Sequence, residues 1–308
     1  MVRRPALRNA PLLLALAMAL APATASAAAT CTPACTGTDV CDEGVCRLPY
    51  WVEHAKLFEG GWLPPDYSTH GAGIDFLINI LHVFMVLLFV GWGIFFCYSL
   101  WRFRARPGHK ATYEPVKGAV SKYLEVGIVI FELVLLLGFS MPIWASYKNN
   151  IPNAADATII RVVAEQFAWN VHYAGKDGTF GKTDPKQVTA TNQVGLDKAD
   201  PSAKDDLISV NQIHFPMSKP VVLKVTSKDV IHGVNIPLLR VKQDALPGSE
   251  VTVWFQSTKD GTFELACAQL CGLGHYKMRA EIHADTAEQW EAWLKDQEPA
   301  LGAGDEEE

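Results

Sequence analysis

The chain has 308 residues, with 27 Lys and Arg against 33 Asp and Glu, a formal charge of −6, and 49% hydrophobic residues. An acidic balance of this kind argues against nucleic acid and favours basic partners. The charge is also uneven along the chain, and its placement orders the segments.

Residues 1–27 read as a secretory signal. Arg3, Arg4 and Arg8 form a basic start, "PLLLALAMAL" is an apolar core too short to span comfortably, and Ala25-Ser26-Ala27 is a small-residue cleavage pattern. An uncleaved first span is the competing reading. Cleavage removes three arginines and no acid, which takes the formal charge from −6 to −9.

Residues 28–72 form an extracytoplasmic segment carrying Cys31, Cys35, Cys41 and Cys46 with no histidine among them. In an oxidising compartment these predict two disulfides pinning small loops, with a metal cluster as the alternative. No C-x-x-C-H occurs, so no c-type haem is expected.

Residues 73–148 predict a transmembrane hairpin. Phe76 to Trp101 is 26 residues with His82 as its sole Asp, Glu, Lys, Arg or His, and Leu124 to Tyr147 is a second apolar run. The loop "RFRARPGHKATYEPVKGAVSK" holds six Lys and Arg and one acid, Glu114. The positive-inside rule puts that loop in the cytoplasm and both hairpin ends outside, as the signal also requires. Cys97 lies in the first span and reads as packing.

The second run contains Glu125 and Glu132. Seven residues apart, they share a helix face roughly 10 Å apart along the axis. An ionisable side chain at this depth is costly and is a functional candidate by default. Glu125 lies near the cytoplasmic edge, where a snorkelling acid is the plain reading; Glu132 reads as an acid bonded to a neighbouring subunit.

Residues 149–285 look soluble and β-rich. "TIIRVVAEQFAWNVHY", "PVVLKVTS", "EVTVWFQS" and "TFELACA" are β-branched or aromatic runs broken by Gly, Pro and Asp, which suits one sandwich or barrel. Gly175 to Asp206 is a polar excursion between strands. Residues 286–308 hold an amphipathic helix, "TAEQWEAWLKDQ", and an acidic tail, "GAGDEEE".

The chemistry concentrates in "CAQLCGLGHYKM", where Cys267, Cys271, His275 and Met278 fall within twelve positions. A third disulfide would leave His275 and Met278 unexplained at these intervals. Thiolate, imidazole and thioether together suit copper, whereas zinc gains nothing from methionine. A mononuclear blue-copper site uses one cysteine. Two thiolates can bridge two metal ions if one more histidine joins them, and His232 in "DVIHGVNIP" is the favoured partner.

The stretches "DVIHGVNIP", "VKQDALPG" and "CAQLCGLGHYKM" resemble subunit II of the haem-copper cytochrome c oxidases. "WLPPDYSTHGAGID", the two-helix hairpin and "EQFAWN" extend the likeness over nearly the whole mature chain. It implies an all-β, Greek-key cupredoxin-like domain anchored by a transmembrane hairpin, with two copper ions in a copper A centre. Cys267 and Cys271 would bridge both coppers, His232 and Met278 would complete one, and His275 with the Gln269 carbonyl the other. The family usually has Glu where Gln269 stands, and its carboxylate helps hold magnesium at the subunit I boundary, so magnesium is doubtful here.

The resemblance further implies an electron-accepting subunit of cytochrome-c oxidase in a bacterial-type inner membrane, with the copper domain on the outer face. Its partners would be subunit I, subunit III and cytochrome c as donor. Electrons would come in at Phe167 and Trp169, the donor would dock on Asp229, and protons would be taken up at Glu125. Phe167 departs from the family's usual tryptophan, with the ligand-loop Tyr276 next in line. Two other readings are a membrane-tethered copper-binding or insertion protein and a quinol oxidase subunit; the latter has lost the copper ligands present here.

Overall fold

The computed structural model describes residues 40–42, 45–47, 62–111, 113 and 118–302. The predicted signal, Cys31 and Cys35, the side chains of Cys41 and Cys46, and tail residues 303–308 lie outside the described residues. Two short strands, β1 (Val40–Asp42) and β2 (Val45–Arg47), pair antiparallel with Cys41 opposite Cys46 in register.

The chain divides into two compact units. One joins Met1–Pro49 to Ile80–Ser146, and the other joins Tyr50–Asn79 to Tyr147–Glu308. The first is built on helices. Helix α1 (Gly71–Arg102) contributes its residues from Ile80 onward; α2 (Ala119–Leu135) is followed by a π turn (Leu136–Ser140) and α3 (Met141–Lys148). Gly71–Arg102 and Ala119–Lys148 run for 32 and 30 residues, enough for each to cross a bilayer. They are apolar all round rather than on one stripe, so Phe89, Leu87, Ile94 and Leu137 stay exposed on the chain's own surface. Phe84 and Phe131 pack ring to ring at 4.5 Å between the two helices.

The second unit is a two-sheet sandwich. One sheet has the order β10 (Val251–Phe255), β7 (Val221–Ser227), β3 (Thr158–Glu165), β4 (Ala168–Tyr173), β5 (Leu207–Val210). The other has β6 (Gln212–Pro216), β12 (Arg279–Asp285), β11 (Gly261–Cys267), β8 (His232–Ile236), β9 (Val241–Ala245). The pairs β3·β7 and β6·β12 are parallel and the others antiparallel. Alternate residues face the interior: Ile160, Val162 and Ala164 of β3, Leu223 and Val225 of β7, and Leu265 of β11 are fully buried. At about 25 cal/mol per Å² of apolar surface removed from water, this shared interior is the main stabilising term.

β4 breaks the alternation, because its outward residues Asn170 and His172 are also fully buried. The connection from β4 to β5 folds back over that face. His172 Nε2 meets Asp206 Oδ2 at 2.6 Å, and the same carboxylate accepts the Gly175 and Gly181 amides at 3.1 and 2.8 Å. Val194, Leu196 and Ala203 of the connection pack on Val163, the outward side of β3. The polar excursion expected from the sequence is therefore an ordered cover with a small core of its own.

Helix α4 (Ala287–Asp296) starts at a capping box in which Thr286 and Gln289 satisfy each other's backbone amides. Its Trp293 stacks on His214 at 4.6 Å and lies tilted against Tyr173 at 5.0 Å. Before α1, Arg240 ties residues 64–75 to the sandwich. Its Nε and Nη2 bond the Asp75 carboxylate at 2.6 and 2.8 Å, and Nη1 and Nη2 reach the carbonyls of Pro65, Pro237 and Pro64. One planar guanidinium thus serves four residues, which a lysine ammonium could not do.

Candidate metal centre

One end of the sandwich brings the sulfur and nitrogen donors together. His232 opens β8, Cys267 closes β11, and residues 268–278 form the loop that returns into β12. The two strands pair antiparallel next to one another, so the histidine and the first cysteine are neighbours by register rather than by sequence. The loop is closed at its base, where the Cys267 amide donates to Met278 O at 2.9 Å and the Ala268 amide to Gly233 O at 2.9 Å. A Cβ on Gly233 would meet Ala268 C at 3.1 Å, so a larger residue there would push the two ligand segments apart. A single 3-10 turn, His275–Lys277, then turns His275 back toward the sulfurs.

The donors converge. Cys267 Sγ and Cys271 Sγ lie 3.8 Å apart, Cys271 Sγ is 3.6 Å from His275 Nδ1, and Cys271 Sγ is 3.8 Å from Met278 Sδ. His232 Nδ1 is 3.2 Å from Met278 Sδ, and Cys267 Sγ is 3.2 Å from the Gln269 carbonyl. The ligand atoms of His232, Cys267 and Cys271 all lie within 4.8 Å of one another. A sulfur separation of 3.8 Å is nearly twice a disulfide bond, so the two thiols are unbonded.

All six donors proposed from the sequence are therefore at one place. The donor chemistry fits a soft metal: three sulfurs, two imidazoles and a carbonyl meet with no ammonium, guanidinium or carboxylate among them. Burial, with the Cys267 sulfur beside it, pushes the Cys271 thiol up to about 11, so a cation is needed to hold it as thiolate near neutral pH.

A second set of side chains holds the ligands in place. Asp229 Oδ1 accepts from His232 Nε2 at 2.9 Å and from the Val230 amide at 2.6 Å, while Oδ2 accepts the Gln166 amide at 2.7 Å. Burial alone would raise this carboxyl, but these bonds outweigh it and hold it below the usual carboxylate range. The bond to Nε2 leaves Nδ1 of His232 facing the sulfurs. Asp229 thus orients a ligand through Oδ1 while its side chain, 32% exposed, still reaches the surface, so the docking role implied by the resemblance stays a proposal. The Asp-x-x-His spacing was the signal for the orienting role.

Gln166 adds a clamp, its side-chain amide donating to the Cys271 carbonyl at 2.5 Å. Phe167 lies over the loop, with its ring 3.1 Å from where a Cβ on Gly272 would sit and 2.5 Å from one on Gly274. Glycine is required at both places, and Gly272 also has φ of 137°. Phe167 is 39% exposed, whereas Trp169 is fully buried with its ring 6.1 Å from that of His232. Around them Leu270, Leu273 and Tyr276 are 81%, 95% and 78% exposed, an apolar rim. Glu125 belongs to the helical unit, exposed and without a hydrogen bond or ion pair among the described residues.

A two-sheet sandwich carrying cysteine, histidine and methionine donors on adjoining loops is a cupredoxin-like domain. The sequence profile of the family "Cytochrome C oxidase subunit II, periplasmic domain" matches residues 158–284. The chain is 32% identical over 247 residues to the alternative cytochrome c oxidase subunit 2 of Bradyrhizobium diazoefficiens, covering 80% of this chain and 87% of that one. It is 26% identical to cytochrome c oxidase subunit 2 of Cereibacter sphaeroides over 77% and 80% of the two chains, and 27% identical to that of Synechocystis over 78% and 77%. The chain belongs to the cytochrome c oxidase subunit II family, and so is a subunit of a haem-copper oxidase.

Proposed function

We propose that this subunit accepts electrons from cytochrome c at a two-copper centre and passes them to the haem of subunit I, where oxygen is reduced to water. The observation that carries this is the convergence of six donors with two unbonded thiols 3.8 Å apart, a spacing open to bridging. Cys267 and Cys271 would hold both coppers, His232 and Met278 would complete one, and His275 with the Gln269 carbonyl the other. When bound, the pair supplies a one-electron acceptor and donor whose charge is spread over two ions and two sulfurs.

The chain's own part is to keep that geometry fixed in both oxidation states. Base-of-loop hydrogen bonds, the Asp229–His232 bond and the Gln166 clamp restrain the ligands, and the buried flank of Met278, His232 and Trp169 excludes water. Phe167 and the apolar rim form the face through which electrons come in, with Trp169 behind. Gln269 offers its carbonyl but no carboxylate, so a magnesium ion beside it would have to draw its acids from elsewhere.

The same reading makes residues 1–27 a signal, 28–72 an outer cysteine segment, 73–148 a membrane hairpin, 149–285 the copper domain on the outer face of a bacterial-type inner membrane, and 286–308 a helix and tail. Glu125, near the basic loop, is its proton-uptake residue, and subunit III is a further partner. The test mixes reduced cytochrome c with the oxidised, assembled oxidase and follows both chromophores. The copper band should change before the haem band. Haem reduction with no preceding change at the copper band would refute the electron path.

A further inference from the structure

The outer face of the second sheet carries a cluster of titratable groups that the electron path does not use. His214 on β6 and His283 on β12 are partners in register across a parallel pair, so both imidazoles leave the sheet on one face. Their rings stack at 4.2 Å with 12° between the planes. On its other side His214 meets Trp293 of α4 at 4.6 Å and 12°, and Trp293 in turn stacks on Trp290 at 5.2 Å. Four flat rings thus run from the helix into the sheet, and the His214 side chain inside the stack is 14% exposed.

His214 faces groups from three elements. On β12, beside His283, Asp285 Oδ2 lies 2.9 Å from its Nδ1. On β4, the Tyr173 hydroxyl accepts its backbone amide at 2.8 Å. On α4 it meets an indole, and the charged residues of that helix, Glu288, Glu291, Lys295 and Asp296, are exposed. His283 has Thr262 Oγ1 at 3.3 Å from Nδ1 and Glu281 Oε2 at 3.6 Å from Nε2, with Glu264 of β11 opposite Glu281. Asp285 and the Trp293 face both favour an imidazolium at His214. Burial, with the imidazole of His283 added to it, outweighs them and holds His214 below its ordinary value. A proton on each ring would set like charges face to face at 4.2 Å with no counter-charge between them. A charged His214 needs water, and the element able to lift and admit it is α4. That helix is ten residues long, follows its cap at Thr286, and is tied down beyond its other end by the Ala300 amide on Asp206 O at 2.8 Å.

We propose that this stack is an acid-sensitive latch on the C-terminal helix: when both imidazoles carry a proton, α4 lifts as a flap hinged at its two ends and uncovers Trp290, Trp293 and Tyr173. The lifted state takes up the proton before the closed one does. The stack's contribution is therefore fully present above about pH 6.5 and is lost as pH falls below it.

The experiment measures amide hydrogen exchange along the full chain in detergent at about pH 7.5, 6.5 and 5.5, corrected for the intrinsic pH dependence of exchange, with copper content as the check on folding. Opening coupled to the uptake of one further proton makes the protection of the α4 amides fall about tenfold per pH unit below about pH 6.5, while β3 stays level. His214→Phe and His283→Phe each keep a flat ring in the stack and remove a charge, so each should hold that fall to less than about twofold per unit. Should His214→Phe fail the folding check, His283→Phe decides, because the latch needs both charges. Protection of α4 that stays level with pH in the wild type would overturn the proposal. So would the wild-type fall persisting in either variant.

Discussion

Asp229 holds one oxygen on His232 Nε2 at 2.9 Å and the other on the Gln166 amide at 2.7 Å. Asparagine in its place keeps an acceptor for His232 but turns an N–H toward the Gln166 amide, which already donates. Asp229→Asn should therefore lower copper affinity by about tenfold and shift the copper bands, the usual outcome when a ligand's orienting partner is lost. Association with the donor at low ionic strength should also slow, because the side chain is 32% exposed and its charge reaches solvent beside the site. Titration of the purified variant with copper and stopped-flow mixing at two salt concentrations check both halves; an association rate unchanged at low salt would remove the docking role.

The meeting of these six residues at one place was legible in the sequence because their residue types are chemically specific and four fall in twelve positions. What Asp229, Gln166 and Phe167 do was not legible, because a carboxylate or an amide in a loop has many uses and only the fold sets which groups it meets. Gly272 and Gly274 make the same point, since their need appears only once the Phe167 ring is seen lying across them.

At the scale of elements, the strand runs were readable as β-branched and aromatic stretches, and both long apolar helices were readable from length. The π turn was not expected. Its cause lies in Pro142, which has no N–H for the Gly138 carbonyl and whose ring crowds that carbonyl in a regular helix; the chain opens one residue wider just before it. The cover over β4 was visible as a polar interval, but not its order, since that depends on Asp206 meeting His172 from 34 residues away.

The segment leading into α1 carries a pH dependence. His70 stacks on Tyr147 at 4.6 Å and lies 5.7 Å from Trp254. Burial pushes its imidazole down from 6.5 to about 4. The unfolded chain therefore takes up the proton first as pH falls. The stability from a neutral, buried His70 is fully present above about pH 6.5 and is lost progressively toward pH 4, on the order of 3 kcal/mol in all. Thermal unfolding of the full chain across this window should show a falling midpoint, and His70→Gln should flatten the slope. An unchanged slope in that variant would assign the acid sensitivity to other groups, with His214, also lowered by burial, the next to test.

For the whole molecule, the excess of acids, the basic loop between two apolar runs and the copper loop fit the topology proposed above. In that topology the basic loop faces the cytoplasm, and the domain with its unbonded thiols faces an oxidising space. There Cys267 and Cys271 would pair with one another unless something held them apart, which is the work assigned to the metal. On the proposed function these two sulfurs share two coppers. The most direct measurement is a copper count joined to a low-temperature electron paramagnetic resonance spectrum of the loaded chain, repeated with Cys271→Ser. Two coppers per chain are expected, with hyperfine splitting from one electron shared by both nuclei, and the variant should keep at most one copper and lose the shared pattern. A single copper with a mononuclear spectrum in the wild type, or the shared pattern persisting in Cys271→Ser, would contradict it.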